Sequence, residues 1–195
     1  THILEGYKVA DKMAEHGAGG STFSDWWAYK YEVVEAIPYN ADIMQDEGVL
    51  VAINSDDAEM ARRLNQEAAK MMLFGEMTEE EALKMVTLNP AKLLHIDDRV
   101  GSITPGKDAD LVLWSHHPLS IYAIAENTFV DGIEYYSRDK DAALRKAIQT
   151  ERNALIQKSL QAKEGGAKTQ KPQGKRKRYL HCNTLDYVEE NEHGH

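Results

Sequence analysis

At 195 residues, with 42% hydrophobic and 28% charged residues, the chain has room for one domain with appendages and reads as a soluble globular protein. Its formal charge of −9, from 23 Lys and Arg against 32 Asp and Glu, disfavours non-specific nucleic-acid binding by its body. No apolar run approaches the roughly 18 residues a membrane-spanning helix needs, and a lone cysteine, Cys182, excludes an intrachain disulfide framework.

The chain opens without Met or signal peptide on Thr1-His2-Ile3-Leu4, as though inside a strand. This implies a piece of a longer polypeptide and leaves the compartment, cytoplasmic or exported, open. Lys8 to His16 carries Val9, Ala10, Met13 and Ala14 at helical spacing, with Gly17 placed to end the helix. Gly19 to Ser24 is a short strand or loop that leads into Asp25-Trp26-Trp27. Glu32 to Glu47 reads as helical, punctuated by Pro38 and Gly48.

The run Val49 to Asp57 is the most informative segment. Five of its first six residues are apolar, the pattern of a strand buried in a parallel sheet. It ends on carboxylates and enters a helical pattern from Ala58 to about Leu73. A charged group at the C-terminal end of such a strand is either catalytic or the cap of the following helix. The first third therefore has the strand–helix rhythm of a parallel α/β fold.

Thr78-Glu79-Glu80-Glu81 has the capping-box pattern, and Asn89-Pro90 reads as N-cap and first residue of a helix over Ala91 to His95. Val100 to Ile103 and Ala109 to Trp114 then read as strands around the turn Thr104-Pro105-Gly106-Lys107. Asp131-Gly132 between Asn127–Val130 and Ile133–Tyr136 signals a hairpin. Residues 138–163 are charged and helix-prone, with a thin apolar stripe of Ala142, Leu144, Ile148, Leu155 and Ile156. Residues 164–195 read as a basic flexible linker and a tail.

These pieces, in this order, resemble the amidohydrolase superfamily of metal-dependent hydrolases, in its imidazolonepropionase-like branch. Thr1 to Lys8 resembles the sixth strand of a (β/α)8 TIM-type barrel, Ser21 to Trp27 the seventh strand with its loop, and Ile53 to Asp56 the eighth. Thr78 to Leu94 resembles the helical segment leading out of that barrel. Val100 to Trp114 resembles the superfamily's C-terminal signature, where the chain rejoins a small β-sandwich. The resemblance implies barrel residues at 1–95, a β-sandwich portion at 96–137, a charged helix at 138–163 and the linker and tail at 164–195.

It also implies a chemistry. Divalent metal, Zn²⁺ foremost, as one or two ions per complete site, would be bound through His2 and Asp56, with a small molecule as substrate. The metal would polarise the scissile carbonyl of a C–N bond outside linear peptides, in a cyclic amide or small peptide-like compound. Asp56 would accept the proton of the attacking water and hand it to the leaving nitrogen, while His2 would ligate metal or contact substrate. Ser24, Asp25, Trp26 and Trp27 would border the substrate pocket, or pack under their loop. Asp57 reads as a helix cap. His16 and His95 suit helix ends, His116-His117 a surface turn, and His181, Cys182, His193 and His195 lack ligand spacing.

The superfamily's upstream ligands, a His-x-His, a Lys and a further His, are absent, so two ligands alone close no site. Strand eight would also lack strand one as a neighbour. The site thus requires an N-terminal portion of the same enzyme as partner. The alternative is a non-catalytic fragment with a scaffold or interaction role.

Overall fold

The computed structural model describes residues 1–168 and 170. It has an α/β fold in two units, Thr1–Tyr136 and Ser137–His195. The first unit is built on two short parallel strands. β1 (Gly20–Thr22) pairs with β2 (Val51–Ile53) in the register Ser21 opposite Ala52. Hydrogen bonds from Gly20 N–H to Leu50 C=O and from Asn54 N–H to Thr22 C=O carry the ladder one residue past β2 at each end. The apolar run thus supplies the parallel strand its composition predicts, over the three residues Val51–Ile53 only.

Helices follow the expected rhythm. α1 (Ala10–His16) ends on Gly17 at φ 76°, a left-handed backbone that suits a residue without Cβ. α2 (Asn40–Asp46) is much shorter than the helix expected over 32–47. Only a 3₁₀ turn at Tyr31–Val33 precedes it, because Pro38 has no N–H to continue a helix and disfavours helical backbone at Ile37. Likewise the helix expected from Ala58 is broken at Arg62-Arg63 into α3 (Ala58–Ala61) and α4 (Leu64–Phe74).

Val49, Val51 and Ile53 point one face of β2 into the main core, beside Ala10, Ala41, Met44, Met71, Met77 and Met85. Apolar area removed from water here is worth about 25 cal/mol per Å². On the opposite face Ala52 is buried while Leu50 and Asn54 are half-buried.

α5 (Glu79–Lys84) begins with the capping box read from sequence. Thr78 Oγ1 accepts from Glu81 N–H, and the Glu81 carboxylate accepts from Thr78 N–H. α6 (Leu88–Leu93) departs from the reading. Asn89 lies inside the helix rather than capping it, and its buried Nδ2 donates to Val51 C=O at 2.7 Å. Ile53 N–H donates to Met85 C=O at 3.0 Å. Both groups lie on the side of β2 turned away from β1, where a neighbouring strand was expected, and both are already partnered.

The remaining strands form one antiparallel sheet in the order β3 (Leu111–Trp114), β4 (Ala125–Val130), β5 (Ile133–Ser137). The turn Asp131-Gly132 has positive φ at both residues (51° and 76°), as a hairpin of this type requires. Two expected strands are absent. Val100–Ile103 is a loop, its chain held by Lys107 Nζ donating to the Asp97 and Val100 carbonyls. Residues 1–4 make a single ladder bond, Ile3 N–H to Ser21 C=O, because His2 adopts φ 60° and turns the chain. The segment around Leu119 packs on Ala68 and Ala82, tying the loop after β3 to α4 and α5.

In the second unit the described part is α7 (Arg138–Glu164), one residue longer than read from sequence, with Leu144, Ile148, Leu155 and Ile156 exposed along it. Among the described residues no helix is long and apolar enough to cross a membrane. Most of the linker and tail, with His181, Cys182, His193 and His195, lies outside the described residues.

Candidate active site

Because β1 and β2 are parallel, the loops Phe23–Trp27 and Asn54–Asp57 leave the sheet at the same end. His2 meets them there. Its Nε2 lies 2.8 Å from Asp56 Oδ2, and its Nδ1 lies 3.2 Å from Thr1 Oγ1. The pair is open to solvent, His2 at 49% and Asp56 at 37% side-chain exposure. Asp57 turns away and caps α3, its Oδ1 accepting from Glu59 and Met60 N–H.

His2 is placed by contacts to segments distant in sequence. Ile3 is fixed by its N–H on β1 and by its C=O, which accepts from Asn40 Nδ2 at 2.7 Å. Asn40, buried at the start of α2, also donates to Thr22 Oγ1 and accepts from Tyr7 N–H. The His2 ring stands edge-on to buried Phe23, with centroids 5.2 Å apart at 80°. Asn40 carries no chemical signature in sequence, and nothing there singles it out.

Of the four pocket candidates, Ser24 is buried and donates to the carboxylate of Glu67, itself buried on α4. Asp25 Oδ1 accepts from Lys70 Nζ at 2.7 Å, and Lys70 also pairs with Glu67 at 3.0 Å. Burial pulls the Lys70 ammonium down, but hydrogen bonds and charges from Asp25 and Glu67 outweigh it and hold its pKa above the ordinary lysine value. Trp26 stacks on Phe23 at 4.7 Å, and its buried indole N–H has no hydrogen-bond partner among the described residues. Trp27 is exposed and donates to Val34 C=O. Glu67 and Lys70 read in sequence as an ordinary charged pair one helical turn apart; the four-residue cluster they build with Ser24 and Asp25 is visible only in three dimensions.

An imidazole nitrogen and a carboxylate oxygen facing each other suit a divalent metal. Two donors of one tetrahedral ion, each about 2.0–2.1 Å from it, stand about 3.3 Å apart. The pair is about half an ångström closer, as its hydrogen bond makes it, and Nε2 and Oδ2 are the atoms that would be turned to a shared ion. The donors fit as two of the three or four such a site needs. Among the described residues no group of three or more His, Cys, Asp or Glu is placed to hold a metal. His117 Nε2 lies 3.6 Å from Glu79 Oε2, and its Nδ1 accepts from Leu119 N–H.

Polar side chains thus converge at the C-terminal ends of the parallel strands, the end at which β/α folds place functional groups. More narrowly, the chain belongs to the amidohydrolase family, whose profile matches residues 37–149, more than half of it. That family is generally metal-dependent. The chain is 33% identical over 111 residues to an amidohydrolase of Hapsidospora irregularis, covering 56% of this chain and 11% of that protein. It is 63% identical over 38 residues to the imidazolonepropionase of Shewanella frigidimarina, covering 20% of this chain and 9% of the relative. Among solved structures, an amidohydrolase from Thermotoga maritima matches with TM-score 0.66 and 35% identity, over 70% of this chain and 36% of that one. An adenosine deaminase from Xanthomonas campestris with bound zinc shares the fold at TM-score 0.54 and 20% identity, over 77% of this chain and 40% of its own. The chain thus spans about a tenth of the length of these curated relatives and just over a third of the Thermotoga structure.

Proposed function

We propose that this chain supplies the strand-six to strand-eight side of the active site of a metal-dependent amidohydrolase. The substrate class is a C–N bond outside linear peptides, in a cyclic amide or a small peptide-like molecule. Residues 1–95 then correspond to the last three strand–helix units of a TIM-type barrel and 96–137 to part of a small β-sandwich. The observation that carries this reading is the His2–Asp56 pair at the C-terminal ends of the parallel strands. The match to imidazolonepropionase supports the cyclic-amide substrate class.

In this reading His2 Nε2 and Asp56 Oδ2 are two ligands of a divalent metal, Zn²⁺ foremost, as one or two ions. The chemistry such a metal supplies when bound is polarisation of the scissile carbonyl and a lower pKa for water. Asp56 takes the proton from the attacking water and delivers it to the leaving nitrogen. The loop Ser24–Trp27 borders the pocket, with Trp26 and Trp27 as its apolar wall and Ser24 and Asp25 fixing its backbone from beneath. An upstream portion of the same polypeptide contributes the remaining ligands.

Elemental analysis of the full-length protein tests the proposal together with hydrolysis assays on cyclic amides. One or two zinc or other divalent ions per chain, with turnover lost on chelation and restored on reloading, is the expected result. Metal-free protein that hydrolyses no amide even after loading overturns it in favour of a scaffold role.

A further inference from the structure

We propose that Lys70 and Glu67 are positioning residues: they clamp the loop after β1 onto α4 and thereby hold His2 against Asp56. This rests on the catalytic reading of the His2–Asp56 pair. A Glu and a Lys one turn apart on a helix ordinarily lie in solvent. Here the Glu67 carboxylate is buried, and so is the Ser24 hydroxyl that donates to it. A carboxylate withdrawn from water is costly unless charge and hydrogen bonds replace its hydration. Lys70 supplies the charge at 3.0 Å, and the same ammonium reaches Asp25 Oδ1 at 2.7 Å. One turn of α4 therefore grips both residues that follow Phe23.

From that grip an unbroken series of contacts reaches the site. Asp25 leads into Trp26, which stacks on Phe23 at 4.7 Å and 10°. Phe23 meets the His2 ring at 5.2 Å, and His2 meets Asp56 at 2.8 Å. α4 is also bound to the second loop, because Asp56 and the cap Asp57 run through α3 directly into it. Packed aromatic rings leave little free volume, so a displaced loop displaces His2. Without the ammonium, Asp25 and Glu67 are two carboxylates at one half-buried place that have lost the cation they share. They would separate, carrying Phe23 and Trp26 with them.

The test is Lys70→Met in the full-length protein that carries this chain, with Lys70→Arg as the conservative control. The expected result is a 10- to 100-fold loss in zinc affinity and in kcat per folded molecule, the range for residues that orient ligands through others. The near-ultraviolet circular dichroism of the Phe23–Trp26 stack should weaken in the metal-free protein, and Lys70→Arg should restore most of each signal. A Lys70→Met protein that loses only melting temperature, with zinc affinity, kcat and the aromatic spectrum unchanged, overturns the proposal. Should Lys70→Met not fold, Glu67→Gln keeps volume and an acceptor for Ser24 and is read by the same criteria. The spectral arm needs neither metal nor substrate. Inactivity of the unaltered protein would therefore count against the catalytic reading, while the spectrum still decides whether the clamp orders the rings.

Discussion

His2 and Asp56 are 54 positions apart in sequence, yet their Nε2 and Oδ2 atoms stand 2.8 Å apart at the common end of two parallel strands. Neither residue needs the other for its backbone. His2 is set by Asn40 and β1, Asp56 by the end of β2, and Asp57 alone caps α3. Asp56, with no capping role, is thus left half-open to solvent and facing His2.

Asp56→Asn should therefore abolish hydrolysis in the full-length protein while leaving its fold intact. The amide keeps the volume and loses the charge and the proton shuttle. Turnover measured against the unaltered enzyme, with the melting temperature as control, checks this. Activity retained near the original rate would remove Asp56 from the mechanism.

The parts of this arrangement that were legible in sequence are those written in local chemistry. Part of the apolar run from Val49, Val51 to Ile53, is a buried parallel strand, Thr78 and Glu81 form a capping box, and Asp131-Gly132 a tight turn. What could not be read depends on which side of a helix the core takes. Asn89 before Pro90 looks like a cap, but burial turned its amide onto Val51. Glu67 and Lys70 look like a solvent pair until Ser24 is placed beneath them. Asn40 is silent because its three partners, Ile3, Tyr7 and Thr22, lie 18 to 37 positions away.

Asn40→Ala should be among the most damaging single changes outside the main core. It strips three hydrogen bonds at once and leaves Ile3 C=O and Tyr7 N–H without these partners. Each buried polar group left unsatisfied costs about 1–3 kcal/mol, so a total loss of about 3 kcal/mol or more is expected by urea denaturation. Zinc affinity should fall as well, because the segment carrying His2 loses its anchor. A loss below about 1 kcal/mol would mean that water replaces the amide.

Asp42 gives a pH dependence of definite sign. Burial, then the charges of Asp46, Glu76 and Glu81, raise its pKa above the ordinary aspartate value. A carboxyl whose folded-state pKa is raised binds its proton more tightly when folded. Its contribution is therefore favourable below the unfolded value of about 3.9 and is lost as pH rises through the folded value. Asp42→Asn should raise the melting temperature at pH 7, and that gain should vanish near pH 3. Glu81 works in the opposite sense, held low by the Thr78 hydroxyl and backbone N–H, so its contribution is present above its unfolded value and fades on acidification. Melting curves of the Asp42→Asn and Thr78→Ala variants between pH 3 and 7 separate the two. At pH 7 Thr78→Ala should cost about 0.5–2 kcal/mol as a lost cap.

The last expectation concerns what residues 1–195 do when expressed alone. A barrel interior is filled by side chains from all its strands, and here the Leu50–Asn54 face of β2 is only half-covered, with two strands in the sheet. Ile103, Ile121, Tyr122 and Ile133 are also exposed, and exposed apolar groups beside a short sheet favour association. On the proposed reading His2 and Asp56 are two of the three or four ligands a zinc site needs, and the described residues offer no group of three. The chain should therefore associate or come out of solution, and show no hydrolysis with added Zn²⁺. One edge is nevertheless protected, since Asn89 and Met85 occupy the outward groups of Val51 and Ile53, so association should run through β1 and residues 1–4. Co-expression with an upstream portion carrying the missing ligands should restore solubility and metal uptake together. A monodisperse monomer that binds zinc tightly by itself, measured by sedimentation and isothermal titration, would show that the site is complete without a partner.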